Sequence, residues 1–207
     1  MTVERKPLGL YVAAVVFLLV IIFVVSASFV RPKPLSFPPT PIHPQPTQTG
    51  FVTDTITIDA QDGSQWAFFN FEIGSVIKNP LPNGWDLAIN RFHLVINGGT
   101  DYAGAGGALA LTLPWDSVTQ APRSGYMMTD GRLGDAAPAS TPALERWYEY
   151  SFFAHTLEPK NETYVIRTAV GRYAKLKIIS YYCLEATPGC ITMVYGYQND
   201  GSLRLTP

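Results

Sequence analysis

Charged residues are scarce in this sequence, and the long region after residue 50 has few basic side chains. Only 15% of the 207 residues are Asp, Glu, Lys or Arg, and the formal net charge is -1. After residue 50, acidic side chains outnumber basic ones and no basic patch is present. Because nucleic-acid-binding domains carry clustered Lys and Arg, we expect no nucleic-acid partner.

The sequence also lacks the short motifs that mark enzymes and metal sites. It has no Gly-x-Ser-x-Gly, no His-Glu-x-x-His and no Cys-x-x-Cys, and it contains only three histidines. The glycine-rich run 104–107 has neither the lysine nor the following helix of a phosphate-binding loop, and we interpret it as a flexible turn. We therefore predict that the protein is not an enzyme and holds no metal ion.

Cysteine occurs only twice, at Cys183 and Cys190. The six residues between them read as a turn, so two strands joined by it would bring the thiols together across a hairpin. A disulfide there would place the domain in an oxidising compartment. The alternative is two free, buried thiols.

Charge is absent altogether from Leu8–Val30, which is almost entirely apolar. As a helix these residues would extend about 34 Å, enough to cross a bilayer. We predict an uncleaved signal anchor in a bacterial inner membrane, with residues 1–7 as a short cytoplasmic tail and the C-terminal domain outside the cytoplasm. A cleaved signal peptide ending near Ser26–Ser28 is the alternative. The basic residues flanking the run nearly balance, so charge alone does not fix the orientation.

Residues 31–50 contain seven prolines. Such a segment is typical of a semi-rigid, polyproline-type tether. We expect it either to lift the following domain off the membrane or to lie along the surface of a partner.

The remainder, residues 51–207, reads as a mainly β domain of antiparallel strands. Trp85–Ile96 is rich in apolar and β-branched residues, which predicts one largely buried central strand that ends at the turn Asn97-Gly98-Gly99. Its two charges, Asp86 and Arg91, then need partners, either each other or backbone amides. Residues 114–143 predict a long irregular excursion, and 144–153 fit either a short helix or a strand. The other predicted strands are 53–58, at an edge, 66–71, 108–113, 163–168, 173–182 and 190–197, the last three forming a meander.

Several motifs in this domain resemble the HmuY-like family of bacterial haem-binding β-proteins. They are Trp85-Asp86-Leu87-Ala88 with Arg91-Phe92 and Asn97-Gly98-Gly99, then Trp147-Tyr148-Glu149-Tyr150, Tyr164–Thr168, Gly171–Leu176 and Ser180-Tyr181-Tyr182. The resemblance covers about residues 52–198. It implies an antiparallel fold shaped like a right hand, with haem held by axial side chains between two finger-like loops. Family members are typically lipid-anchored; this chain has no cysteine near residues 20–30 and carries the apolar segment instead.

The resemblance raises the question of haem ligands, which must be side chains converging from loops. The candidates are Met127 and Met128 in the irregular excursion, His155 after the aromatic cluster, and His93 in the central strand. Each also has a structural interpretation, because loop methionines often fill gaps against aromatics. We expect no cofactor as the first interpretation and haem as the alternative.

Two functions are therefore open. The first is a non-catalytic accessory subunit of a multi-subunit membrane complex, photosynthetic or respiratory, bound to the bilayer and to other subunits through its helix and tether. The second is a membrane-anchored haem-binding or haem-delivery protein.

Overall fold

The N-terminal apolar run forms one α-helix, α1, Leu8–Phe29, in a computed structural model that describes residues 8–29, 33–45 and 49–207. The side chains of Gly9–Ser26 are exposed around the whole helix. It is the one helix among the described residues that is long and apolar enough to cross a membrane. A signal sequence would have the same length and composition, so both alternatives for this segment remain open.

The chain separates into two units. Of the described residues, one unit contains 8–29 and 33 together with Ser151–Thr156, and the other contains 34–45, 49–150 and Leu157–Pro207. The second unit holds most of the β structure.

Two antiparallel sheets make up most of this β structure. The five-stranded sheet has the order β1-β11-β10-β9-β6, and the four-stranded sheet has the order β3-β2-β4-β5. Strands β7 and β8 form a separate two-stranded sheet. The strands are β1 Phe51–Asp59, β2 Ala67–Asn70, β3 Ser75–Ile77, β4 Leu87–Asn90, β5 His93–Ile96, β6 Gly107–Leu111, β7 Tyr148–Ser151, β8 Thr156–Pro159, β9 Thr163–Arg167, β10 Tyr173–Tyr182 and β11 Pro188–Gln198.

The prediction of one central strand over Trp85–Ile96 is wrong. The chain reverses at Arg91 and Phe92, and β4 pairs antiparallel with β5 as a tight hairpin. Arg91 has φ of +53°, the left-handed conformation that such a two-residue loop needs. The apolar run then folds onto itself, since Leu87 pairs with Ile96 in the ladder.

The other strand predictions fare better. The mainly antiparallel β fold and the meander of β9, β10 and β11 are confirmed, and β1 lies at a sheet edge as expected. Residues 114–143 contain no strand among the described elements, and 148–151 resolve as strand rather than helix. Two short strands, β3 and β8, were not predicted.

The core lies between the two sheets. Inward-facing side chains of both sheets meet in one buried cluster, and Trp147 joins it from the segment before β7. The largest fully buried members are Phe69, Phe71, Leu87, Ile89 and Ile96 from the four-stranded side and Ile58, Tyr164, Ile166, Leu176 and Ile178 from the five-stranded side. At about 25 cal/mol per Å² of apolar surface, this burial is the main stabilising contribution to the fold.

The described part of the proline-rich segment, residues 33–45, is held by the β unit from residue 35 onward. The Phe37 amide donates to the carbonyl of Tyr182 at 3.1 Å, and the Thr40 amide donates to the carbonyl of Thr57 at 2.8 Å. The Thr57 amide donates in return to Thr40 Oγ1 at 2.9 Å. From residue 35 onward, this segment therefore lies on its own domain.

The glycine-rich run 104–107 is not a flexible turn either. The Gly106 amide donates to the carbonyl of Asn97 at 2.9 Å, which brings two backbones into direct contact. A Cβ atom added at Gly98 would lie 2.0 Å from the carbonyl oxygen of Gly106. Glycine is required here because the two chain segments cross without room for a side chain.

Cys183 and Cys190 form a disulfide bond across the turn between β10 and β11. The loop that it closes has a sequence separation of seven residues. Closing so short a loop reduces the entropy of the unfolded chain only modestly, so we expect its loss to cost about 2–3 kcal/mol.

The first prediction concerns this bond. Replacing both cysteines by serine should lower the free energy of unfolding, measured in urea, by about 2–3 kcal/mol. Reducing the disulfide of the native protein should lower it by the same amount. A midpoint that neither change moves would contradict the prediction.

Candidate functional site

Asp86 is a buried carboxylate that joins the two sheets. Its side chain is 3% exposed. Oδ2 accepts a hydrogen bond from the Phe71 amide, just after β2, at 2.9 Å. Oδ1 accepts one from the Ala169 amide, beyond β9, at 2.8 Å. One side chain thus satisfies two buried backbone donors that belong to different sheets.

Burial raises the pKa of Asp86 from 3.8 to about 6. The hydrogen bonds from the Phe71 and Ala169 amides act in the opposite direction, because they favour the charged carboxylate. Near neutral pH the group is therefore largely ionised.

Arg91 does not pair with Asp86. Its Nη1 donates to the carbonyl of Gln61 at 3.1 Å, and its amide donates to the carbonyl of Ala60 at 3.0 Å. Of the two partners proposed from the sequence, each other or the backbone, both residues use the backbone. They hold the β4–β5 hairpin in place and point to no chemistry of their own.

His93 opens β5, directly after the hairpin turn, and lines a surface pocket of about 420 Å³. This volume lies in the range of small-molecule and cofactor sites. Partial burial lowers the pKa of His93. The imidazole is therefore neutral near pH 7, the form that binds metal ions.

The pocket has apolar walls and a charged edge. The ring of Phe92 lies 4.3 Å from the ring of His93, and the ring of Tyr148 lies 6.0 Å from that of Phe92. Trp147 fixes this wall, since its Nε1 donates to the carbonyl of Phe92 at 2.9 Å. The remaining lining residues are Leu94, Pro138, Ala139, Ser140, Glu145 and Arg146.

The two candidate methionines lie elsewhere. Met127 pairs with Ala108 of β6 through two backbone hydrogen bonds, of 2.8 and 2.9 Å. The side chains of Met127 and Met128 are both about half exposed, and neither lines the pocket beside His93. Successive residues of an extended segment point to opposite faces, so the pair does not converge on one point.

His155 lies at the turn between β7 and β8, in the unit that contains α1. It has φ of +54°, and its ring lies 5.9 Å from that of Phe152. Of the four ligand candidates, the structure places only His93 in the described pocket.

One further cluster of metal-ligating residue types occurs among the described residues, but it cannot bind a metal ion. Asp59 lies close to the sulfurs of Cys183 and Cys190. Because the two sulfurs are bonded to each other, neither offers a thiolate, and this group is not a metal site.

Sequence reasoning identified His93 but missed most of its surroundings. Residues 138–146 were interpreted as irregular or ambiguous chain. They are positioned by long-range contacts, because the Ile96 amide donates to both Thr129 Oγ1 and Thr141 Oγ1 at 3.1 Å. The aromatic cluster at Trp147 and Tyr148 was the only local signal of this wall.

The second prediction concerns the buried carboxylate. Asp86→Ala lowers the free energy of unfolding by about 2–4 kcal/mol, because it leaves two buried amides without acceptors. Asp54→Ala, at an exposed position on β1, is the matched control and should change stability little. Equal urea midpoints for the two variants would show that Asp86 does not join the sheets.

The third prediction concerns pH. The pKa of Asp86 is higher in the folded protein than in the unfolded chain, so the folded state binds more protons between pH 3.8 and about 6. The extra proton binding stabilises the folded state fully below that window. As pH rises through the window, this stabilisation of about 3 kcal/mol is lost. We expect Asp86→Asn to remove this component, measured as the difference in urea stability between variant and wild type at each pH. A difference that stays constant across the window would refute the raised pKa.

Comparisons with known proteins agree on the fold. The model of the HmuY protein family matches residues 62–195. A search of curated proteins found no match. The apo HmuY analogue TFO of Tannerella forsythia is 20% identical with a TM-score of 0.58, over 72% of this chain and 97% of that one. A protein from Bacteroides vulgatus, described as HmuY-like and haem-binding, is 21% identical with a TM-score of 0.55. The match covers 72% of this chain and 97% of that one. Apo PinO from Porphyromonas gingivitis is 11% identical with a TM-score of 0.56, over 72% of this chain and 98% of that one. These likenesses concern the fold, and with the match of the family model they establish that the chain belongs to the HmuY family.

Proposed function

We propose that the protein is a non-enzymatic, membrane-anchored haem-binding protein. The observation that carries the proposal is His93 at the edge of an apolar pocket in a chain of the HmuY family. The solved protein from Bacteroides vulgatus, which shares the fold, is described as haem-binding.

The residues of this pocket fit a haem group bound through one side chain. A haem supplies an iron atom that takes an axial nitrogen ligand and two propionates that carry negative charge. His93 offers the neutral imidazole, because its partial burial disfavours the charged form. Phe92, Leu94 and Tyr148 supply apolar and aromatic surface for the macrocycle. Arg146 is the cation beside the pocket that can pair with a propionate.

This proposal assigns one axial ligand to the chain and not two. Met127 and Met128 do not line the pocket, and His155 belongs to the other unit.

The anchor is α1. Its side chains are apolar on every side, which is typical of a helix surrounded by lipid. The disulfide between Cys183 and Cys190 supports a domain outside the cytoplasm, because such bonds persist in oxidising compartments. We place the helix in the bacterial inner membrane on these grounds.

The fourth prediction tests the ligand. Haem added to the purified protein should give a Soret band that saturates at one equivalent. His93→Ala should weaken binding more than tenfold, a loss above about 1.4 kcal/mol. His43→Ala, at an exposed position of the proline-rich segment, is the matched control, and Met128→Ala tests the methionine.

Binding that is unchanged in His93→Ala would contradict the assignment of this ligand. Binding lost only in Met128→Ala would move the site to the irregular segment. Absence of any Soret band in the wild type would remove haem as the function.

A second function, as an accessory subunit of a membrane complex, is favoured because only one haem-ligand candidate lines the pocket. Only one of the four candidates lies at the pocket, which suits a family fold used for protein contact instead of haem. The protein would then be an accessory subunit of a membrane complex, docked through α1. Since residues 35–45 are held by the β unit, we assign the docking to the helix and not to the tether. The identity of the complex, photosynthetic or respiratory, stays a prediction without support from the comparisons.

A further inference from the structure

The tip of the β7–β8 hairpin exposes two large aromatic side chains. Phe152 is 71% exposed and Phe153 is 88% exposed. Their rings lie 5.9 Å apart in an edge-on arrangement, so they form one apolar surface. Exposed phenylalanines at a loop tip are costly in water and mark a surface that another phase or molecule covers.

The tip belongs to the same unit as the apolar helix. Ser151–Thr156 groups with the described N-terminal residues, 8–29 and 33. Within this unit, α1 is the element with the length and composition of a membrane span. A segment grouped with a spanning helix lies beside the bilayer, so lipid is the neighbour that this location provides.

The chemistry of the tip suits a lipid surface. Ser151–Thr156 reads Ser-Phe-Phe-Ala-His-Thr and contains no Asp, Glu, Lys or Arg. Phenylalanine is among the residues that form the apolar face of elements lying in the membrane interface. The hairpin becomes charged only farther from its tip, at Glu149 in β7 and Glu158 in β8.

The positions of these two glutamates limit how deeply the tip can enter. Glu149 precedes Phe152 by three residues, which corresponds to about 10 Å along a strand. Interfacial elements bury their apolar face about 5–10 Å into the bilayer. The apolar length of the tip therefore matches the interface and not the bilayer centre.

We propose that Phe152 and Phe153 insert into the lipid interface and form a second membrane contact beside the helix. The proposal deepens the proposed function, since it rests on α1 as a membrane anchor.

The fifth prediction tests the insertion in the full-length chain, reconstituted in phosphatidylcholine vesicles. Three variants, Phe153→Cys, Leu81→Cys and Val16→Cys, each carry one nitroxide label, with the Cys183–Cys190 bond verified by peptide mapping. Leu81 is the matched control for exposure, at 73%, on a loop of the other unit. Val16 reports on the middle of α1. The measurement is the ratio of collision rates with oxygen, which partitions into lipid, and with a water-soluble nickel chelate.

We expect the oxygen-to-nickel ratio at residue 153 to be severalfold higher than at residue 81 and lower than at residue 16. A deep label at 16 with equal ratios at 153 and 81 would overturn the insertion and leave the anchor intact. A label at 16 that is accessible to nickel would instead overturn the anchor itself. Low collision rates with both reagents at 153 would show that protein, such as a second copy of the chain, covers the tip, which also overturns the proposal.

Discussion

The buried carboxylate of Asp86 holds the two sheets of the β-domain together through hydrogen bonds to two backbone amides. Its two oxygens accept one amide from each side of the molecule, Phe71 N–H after β2 and Ala169 N–H after β9. Burying a charge is costly, and these two bonds offset part of that cost while tying the two sheets together. The raised pKa of Asp86 shows that desolvation still outweighs them. Asn97 reinforces the same region, because its fully buried amide group donates to the carbonyls of Pro82 and Trp85. The polar side chains of the Trp-Asp and Asn-Gly-Gly motifs therefore serve to bind buried backbone groups.

This arrangement positions the candidate site. Because Asp86 fixes the start of β4, the β4–β5 hairpin has a defined register, and His93 follows its turn at the edge of the pocket. The Trp147 indole fixes the same turn from the other side through the carbonyl of Phe92. A residue supported in this way keeps a constant orientation, which an axial ligand requires. The same rigidity would serve a surface for protein contact, so the geometry alone is compatible with both proposed functions.

Much of the fold could be predicted from the sequence, and the failures have physical causes. Strand β10 was predicted with its observed bounds, Tyr173–Tyr182, since aromatic and aliphatic residues recur along it and a turn follows it. The β4–β5 turn was missed because Arg91 adopts a positive φ without the glycine or asparagine that usually marks such a loop. His93 could be named from its type and family resemblance. The wall of residues 138–146 could not, since distant threonine contacts hold it, and neither could the attachment of the proline-rich segment to its own domain.

We propose that this HmuY-family chain binds haem while anchored in a membrane. The most direct test is native mass spectrometry of the full-length protein, extracted from its own membrane in a mild detergent. The account predicts a single chain that carries one haem and loses it after His93→Ala substitution. A haem-free chain bound stoichiometrically to other membrane proteins would contradict it.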